Sequence, residues 1–253
     1  MPIDYNKRPQ TPVPPGSEPV QAAAAPRPTI ELRKGAPPVT LTKTSTMQAR
    51  ASWSSKTDYD VYALVVLRDG TVQTVAMFGA QGVPPQQSFR GIRHLGDVTG
   101  RGTAVEAAPR RKIFANKATR EAEAKEQAAW NAQQAAAQAV ELIQIGFQDD
   151  IVAVVPVAYS AQSNGSGSFA RYSVALEVEN GQGEAVRVSS EEANDDDNIF
   201  TCVPAIIYNR PDGVEVERVE LYSAKGSENR PAARLVQGRV VIDMDAGPRN
   251  DYK

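Results

Sequence analysis

A strand–turn–strand pattern occurs three times in this chain and restricts its fold more than any other feature. In the first copy, the apolar run Asp60 to Leu67 is followed by Arg68-Asp69-Gly70 and a second alternating run, Thr71 to Phe78. Asp-Gly and Asn-Gly pairs tolerate the positive φ angles of a tight hairpin turn. The other two copies surround Asn180-Gly181 and Pro211-Asp212-Gly213. Three such hairpins predict antiparallel sheets.

Further strand-like segments raise the strand count to what two packed sheets need. They are predicted over 29–32, 39–42, 47–53, 141–147, 151–159 and 235–243. The segment 151–159 is nearly all apolar, as expected of a strand buried on both faces, and Pro156 within it predicts a bulge or a sheet edge. We therefore expect a mainly β fold, a two-sheet antiparallel β-sandwich spanning residues 29–246.

Three segments lie outside this pattern. Residues 1–28 are rich in proline and alanine and predict a disordered leader, while residues 247–253 predict a short tail that frays. Residues 116–139 are dominated by alanine and other helix formers, which predicts one helical insertion. Trp130 is the one large apolar side chain of this helix and a candidate residue for binding a protein partner. The leader is a second candidate for such a contact. The alternative is that the helix is only a surface excursion between strands.

Composition excludes several classes of protein. A formal net charge of −2 and a pI near 5.6 lack the basic footprint of a nucleic-acid binder. Cys202 is the only cysteine, so no intrachain disulfide can form. No stretch approaches the ~20 apolar residues of a membrane-spanning helix, and the N-terminus does not resemble a secretory signal. These features predict a cytoplasmic protein without a membrane span.

The residues of common catalytic sites are scarce. His94 is the only histidine, so a serine or cysteine hydrolase would have to use it as the base. Cys202 lies within a predicted strand, where a buried and inert thiol is expected. No phosphate-binding glycine motif precedes a helix. The sequence therefore predicts a protein that is not an enzyme.

Oxygen ligands, by contrast, are plentiful. Asp58 and Asp60 alternate in an extended segment and so share a face. The glycine-rich stretch that begins at His94 adds Asp97, Thr99 and Glu106. Calcium takes about six to eight oxygen donors, which loops of this kind can supply. Exposed acids beside strands are also common in proteins without metal, and the triplet 195–197 can be read in the same two ways.

The order of these motifs resembles the tellurium-resistance TerD family over roughly residues 29–226. The matching positions, in chain order, are Lys34-Gly35, Val39 to Lys43, Ala51 to Trp53, Asp58-Tyr59-Asp60, His94, Gly96, Asp97, Thr99, Gly100 and Gly102. The resemblance implies a calcium-binding β-sandwich linked to stress and tellurite resistance, without established catalytic activity. It implies calcium ligation by Asp58, Asp60 and Asp97, with Thr99 or Glu106.

The chain also departs from the family pattern. Val98 stands where the family has an asparagine, and Ser54 where it has an aspartate after the tryptophan. An acidic cluster that follows the family loop is absent. The missing carboxylates remove negative charge that draws calcium from water, and Val98 offers only its backbone carbonyl. The sequence therefore leaves two outcomes open, a weakened calcium site or a loop that only turns the chain.

The function expected from these features is that of a non-enzymatic, stress-associated binding or scaffold protein that associates with protein partners or with itself. Calcium could modulate that association. One alternative is a structural subunit of a larger assembly that uses no metal. A third reading is a divalent-metal enzyme acting on phosphate groups through Asp58, Asp60 and Asp97, for which only Arg93 and Arg101 lie near as basic groups.

Overall fold

The computed structural model describes residues 29–54, 57–97, 138–161, 168–190 and 196–251. These residues form fifteen strands and contain no helix, which confirms the mainly β expectation. The predicted leader, most of the predicted helix, and Thr99, Glu106 and Trp130 lie outside them. The last two residues assigned to the helical insertion, 138–139, instead begin a strand. Within the described ranges, no helix could cross a membrane.

Seven strands, numbered in chain order, form the first sheet. Their spatial order is β1 (Ile30–Glu31), β11 (Ala185–Ser189), β10 (Ala175–Glu179), β3 (Met47–Ser54), β8 (Gln138–Ile145), β7 (Ile92–Asp97) and β6 (Ser88–Phe89). All neighbours pair antiparallel except β1 and β11, which are parallel. The expectation of purely antiparallel sheets therefore fails only at this short edge strand.

Six strands form the second sheet, and all of them pair antiparallel. Their spatial order is β2 (Val39–Leu41), β13 (Gly213–Tyr222), β12 (Thr201–Arg210), β9 (Ile151–Tyr159), β4 (Asp60–Leu67) and β5 (Val72–Val75). A separate hairpin consists of β14 (Ala232–Val236) and β15 (Arg239–Asp243). The three hairpins expected from the turn motifs are β4–β5, β10–β11 and β12–β13, and all three are confirmed.

Two strand predictions are refined by the structure. The segment 235–243 is not one strand but the hairpin β14–β15, because Gln237 and Gly238 turn the chain with φ angles of 50° and 76°. The sheet is irregular beside Pro156, as predicted, but the extra residue lies in the facing strand β12. Pro156 keeps its register with β4, but the pairing of β9 with β12 shifts between Cys202 and Ile207. A proline has no amide hydrogen to donate, so a regular ladder cannot continue on that side.

The two sheets pack through a common apolar core, as in a β-sandwich. Trp53 and Tyr59 are among its largest fully buried side chains. A second apolar cluster lies on the opposite face of the second sheet, where the β14–β15 hairpin covers Tyr62, Phe78 and Tyr159. The central strands of that sheet are therefore covered on both faces, which explains why every residue of β4 is buried.

Residues 247–251 do not fray as the sequence analysis expected. They lie as a short extended segment between two others, with bridges that join Ala80 to Asn250 and Asn229 to Arg249. Backbone hydrogen bonds run from Gln81 N–H to the Arg249 carbonyl and from Arg230 N–H to the Pro248 carbonyl. The end of the described chain is thus part of the folded structure.

Candidate functional site

The two motifs that carry the family resemblance meet at one end of the sandwich. The Asp58-Tyr59-Asp60 segment leads into β4 of the second sheet, and His94 to Asp97 form the end of β7 in the first sheet. The contact between them is centred on the peptide groups of Val61, directly after Asp60. Sequence spacing alone did not show that these segments would meet.

Two buried side chains of the first sheet hold the main chain of Val61. The Val61 N–H donates to Oε2 of Glu141 at 2.5 Å. Nε2 of His94 donates to the Val61 carbonyl oxygen at 2.6 Å. The same Nε2 lies 3.5 Å from Glu141 Oε2, and both side chains are only 1% exposed. Hydrogen bonds to a carboxylate inside a protein are stronger than neutral ones, so this contact joins the sheets firmly.

The imidazole of His94 has both nitrogens engaged with main-chain groups. The Gly96 N–H donates to Nδ1 at 3.0 Å, which leaves the ring proton on Nε2, where it is donated to Val61. Gly96 has a φ of 77°, and the β7–β8 register shifts between His94 and Gly96. The bulge turns the Gly96 N–H toward the ring of His94, two residues earlier in the chain. In this arrangement His94 is neither poised as a catalytic base nor directed at a metal ion.

Glu141 is the residue of this contact that sequence reasoning did not single out. It belongs to β8, where residues 141, 143 and 145 are buried and alternate with half-buried positions. Isoleucine occupies two of these inward positions and a carboxylate the third. A charged residue at an inward position of a strand is almost never buried without a partner. That break in the apolar alternation was the available signal.

The predicted calcium ligands fall on both sides of this contact. Asp60 begins β4 and is 4% exposed, while Asp58 is half-buried. Asp97 ends β7 directly opposite Glu141 in the β7–β8 register, and only its backbone is described. Among the described residues, no three His, Cys, Asp or Glu side chains form a group that could hold a metal ion.

Tyr59, between the two aspartates, anchors their segment in the core. Its hydroxyl donates to the Ser168 carbonyl oxygen at 3.0 Å, and its ring packs edge-on against Trp53. Burial raises the pKa of the Tyr59 hydroxyl, which therefore stays protonated and remains a donor. Trp53 in turn donates from Nε1 to the Thr57 carbonyl oxygen. The segment that carries Asp58 and Asp60 is thus anchored by the hydrogen bonds and ring packing of Trp53 and Tyr59.

The other candidate groups are engaged elsewhere. Asp196 pairs with Lys225 at 2.5 Å, and Asp197 with Arg171 at 2.9 Å. The Lys225 ammonium, followed by the Asn198 amide, lowers the pKa of Asp196. Cys202 is buried between the sheets, and burial raises the pKa of its thiol, which disfavours the reactive thiolate. The buried thiol expected at this position is confirmed.

Comparison with known proteins adds no assignment to this geometry. No model of a known protein family matches the chain. No curated protein matches it either.

Proposed function

We propose that this chain is a TerD-like, non-enzymatic binding or scaffold protein of the cytoplasm, with a stress-associated role, whose protein contacts calcium modulates. The observation that carries the proposal is the contact of Val61, the residue directly after Asp58-Tyr59-Asp60, with His94 near the end of β7. These two segments are the most specific parts of the family resemblance, and they come from different sheets. Their meeting is what a shared ligand site requires.

Asp58 and Asp60 would supply carboxylate oxygens to the ion, together with Asp97 and either Thr99 or Glu106, as the resemblance implies. Hard oxygen donors fit calcium, and a buried carboxylate such as Asp60 gains most from a neighbouring cation. The described residues contribute two of these carboxylate side chains, so further donors have to come from the remaining predicted ligands or from carbonyl groups. Bound calcium would offset the repulsion between the carboxylates.

Two features support a role without catalysis. Both ring nitrogens of His94 are engaged with main-chain groups. The thiol of Cys202 is buried and its pKa is raised. The chain therefore offers neither a histidine base nor a thiolate nucleophile in the arrangement that hydrolysis needs.

Calorimetric titration of the EDTA-treated full chain with calcium tests the proposal directly. We expect saturable binding, and a melting temperature that rises with free calcium as mass action requires. Asp60→Asn and Asp58→Asn should weaken binding. Asp212→Asn, in the exposed β12–β13 turn, is the matched control and should bind like the wild type. No heat and no thermal shift at millimolar calcium would contradict calcium binding.

Sedimentation or light scattering across a concentration series tests the second half of the proposal. Association that changes between calcium and EDTA supports modulation by the ion. Association that is equally strong in both would contradict modulation, and would favour a structural subunit of a larger assembly.

A further inference from the structure

The main chain of Val61 needs hydrogen-bond partners that its own sheet does not supply. In an antiparallel strand, the N–H and the carbonyl of one residue point to the same side. On the β5 side, β4 is paired only from Ala63 to Val66, so the ladder ends before it reaches Val61. Val61 is 2% exposed. A buried peptide group without a partner would be strongly destabilising.

His94 and Glu141 take the place of the missing strand. Glu141 accepts the Val61 N–H and His94 donates to the Val61 carbonyl, so two side chains reproduce the bonds of a ladder. Both side chains come from the opposite sheet. The contact is therefore a link between the sheets as well as a cap on an unpaired peptide.

The link acts on the backbone next to two predicted calcium ligands. The Val61 nitrogen belongs to the same planar peptide group as the Asp60 carbonyl, so Glu141 fixes the orientation of the unit that carries Asp60. On the other side of the His94 ring, Nδ1 accepts from Gly96, the residue before Asp97. One imidazole thus joins the neighbour of Asp60 to the neighbour of Asp97.

We propose that His94 and Glu141 form a clamp that positions Asp60 against the end of β7 for binding a divalent cation. This inference rests on the proposed function and deepens it. In the clamp, Glu141 acts as a positioning residue through Oε2, which accepts the Val61 N–H. His94 is likewise a positioning residue, since its two nitrogens hold main-chain groups.

Calcium calorimetry on paired variants separates positioning from ligation. Glu141→Ala and His94→Ala remove the clamp and should weaken calcium binding about 10- to 100-fold, as loss of outer-shell support does at other metal sites. Glu141→Gln and His94→Gln can keep the bonds to Val61, because an amide oxygen accepts and an amide N–H donates. These two variants should bind within a few-fold of the wild type.

Three outcomes would overturn the positioning role. If Glu141→Gln loses as much affinity as Glu141→Ala, the charge of Glu141 acts on the ion directly. If neither alanine variant changes affinity, the clamp does not support the site. The control is Ile145→Ala, a buried position at the far end of the same strand. An equal loss of affinity in this variant would reduce the effect to general destabilisation.

The amide proton of Val61 gives a readout that does not depend on calcium. A short hydrogen bond to a carboxylate shifts an amide proton downfield in an NMR spectrum, so we expect a downfield Val61 signal that moves upfield in Glu141→Ala. An unchanged signal would overturn the clamp itself. If the signal moves but the wild type binds no calcium, the proposed function fails and the positioning of a cation fails with it, while the link between the sheets stands.

Discussion

In two regions of this molecule, charged or polar side chains form hydrogen bonds with buried main-chain groups. The two regions differ in which part of the main chain is bonded. One is the clamp of His94 and Glu141 around Val61. The other we name the C-terminal clasp, which comprises residues 228–230 and 247–251 and the chain at 78–81 that they contact. Both regions complete hydrogen bonding where the main sheets end. The clamp lies beside predicted calcium ligands, whereas the clasp packs against the second apolar cluster, on the outer face of the second sheet.

Arg230 is the centre of the clasp. It is 3% exposed, and its guanidinium lies 5.0 Å from the Tyr62 ring centroid and 5.2 Å from that of Phe78. It donates to Oδ1 of Asn250 at 2.6 Å and to the carbonyl oxygens of Phe78 and Gly79 at 3.1 and 2.9 Å. Burial lowers the pKa of Arg230, but these acceptors and the ring faces offset the loss of water.

The difference between the two regions concerns what a substitution should disturb. The clasp is surrounded by aromatic and apolar groups and contains none of the predicted ligands, so its loss should lower stability alone. The clamp adjoins Asp60 and the end of β7, so its loss should also lower calcium affinity. Substitutions in the clasp should therefore lower stability alone, whereas substitutions in the clamp should lower both stability and calcium affinity.

Arg230→Ala should have the largest effect on stability. It removes the Arg230 donor from three buried acceptor oxygens, of which the Gly79 carbonyl keeps the Asp251 N–H, and it opens a gap between two aromatic rings. We expect the free energy of unfolding to fall by about 3 kcal/mol, measured by urea denaturation. Arg230→Met refills part of the gap without restoring the donors, so it should lose somewhat less.

The Arg230 variants also test the comparison itself. Arg230 packs on Tyr62, the residue after Val61, but the side chains of Tyr62 and Val61 lie in apolar clusters on opposite faces of β4. If this separation makes the two regions independent, a folded Arg230→Met protein should bind calcium with the affinity of the wild type. A tenfold loss of calcium affinity in this variant would contradict the separation of clasp and clamp.

Gly247→Ala should have an intermediate effect on the clasp. A Cβ atom at this position would lie 2.8 Å from the Arg230 carbonyl oxygen, closer than packed atoms allow. The clash should push residues 247–251 away from residues 228–230, with a loss of about 1 to 2 kcal/mol in urea denaturation. Ala246→Ser, at the exposed neighbouring position, is the control and should be neutral. A stable Gly247→Ala protein would mean that this segment is held loosely.

Most strands and turns of this fold were predictable because their signals are local, but β6 and β7 were not among the predicted strands, and the stretch that begins at His94 was expected to be a loop. Alternation of apolar residues and the Asp-Gly and Asn-Gly turns located all three predicted hairpins. The irregular pairing beside Pro156 was also expected, because proline has no amide hydrogen to donate to the ladder. The split of 235–243 into two strands was missed because Gln237-Gly238 is a weaker turn signal than Asp-Gly.

The two buried polar regions were not predictable in the same way. Glu141 and His94 meet Val61 across the sheets, and Arg230 meets Asn250 through a fold of the C-terminus, so no local pattern pairs them. The sequence drew attention to His94 as the only histidine, but the partners of its ring follow from tertiary packing. The end of the chain was expected to fray because terminal residues commonly do, yet the buried Asn250 and Arg230 depend on it.

Asp196→Asn should have the smallest effect and shows what an ion pair with an exposed partner contributes. Asp196 pairs with Lys225, which is 72% exposed and lies ahead of the clasp in the chain. The Lys225 ammonium and the Asn198 amide lower the pKa of Asp196 in the folded state. A carboxyl whose pKa is lowered on folding stabilises the protein above its unfolded pKa, and this contribution is lost as the pH falls through the folded pKa.

We therefore expect Asp196→Asn to lower the melting temperature slightly at pH 7, and the difference from the wild type to shrink below about pH 4. Added salt should shrink it as well, since exposed pairs are screened, whereas salt should leave the larger effect of Arg230→Ala almost unchanged. A difference that persists at pH 2 would assign the effect of Asp196 to its shape and neutral hydrogen bonds and not to its charge.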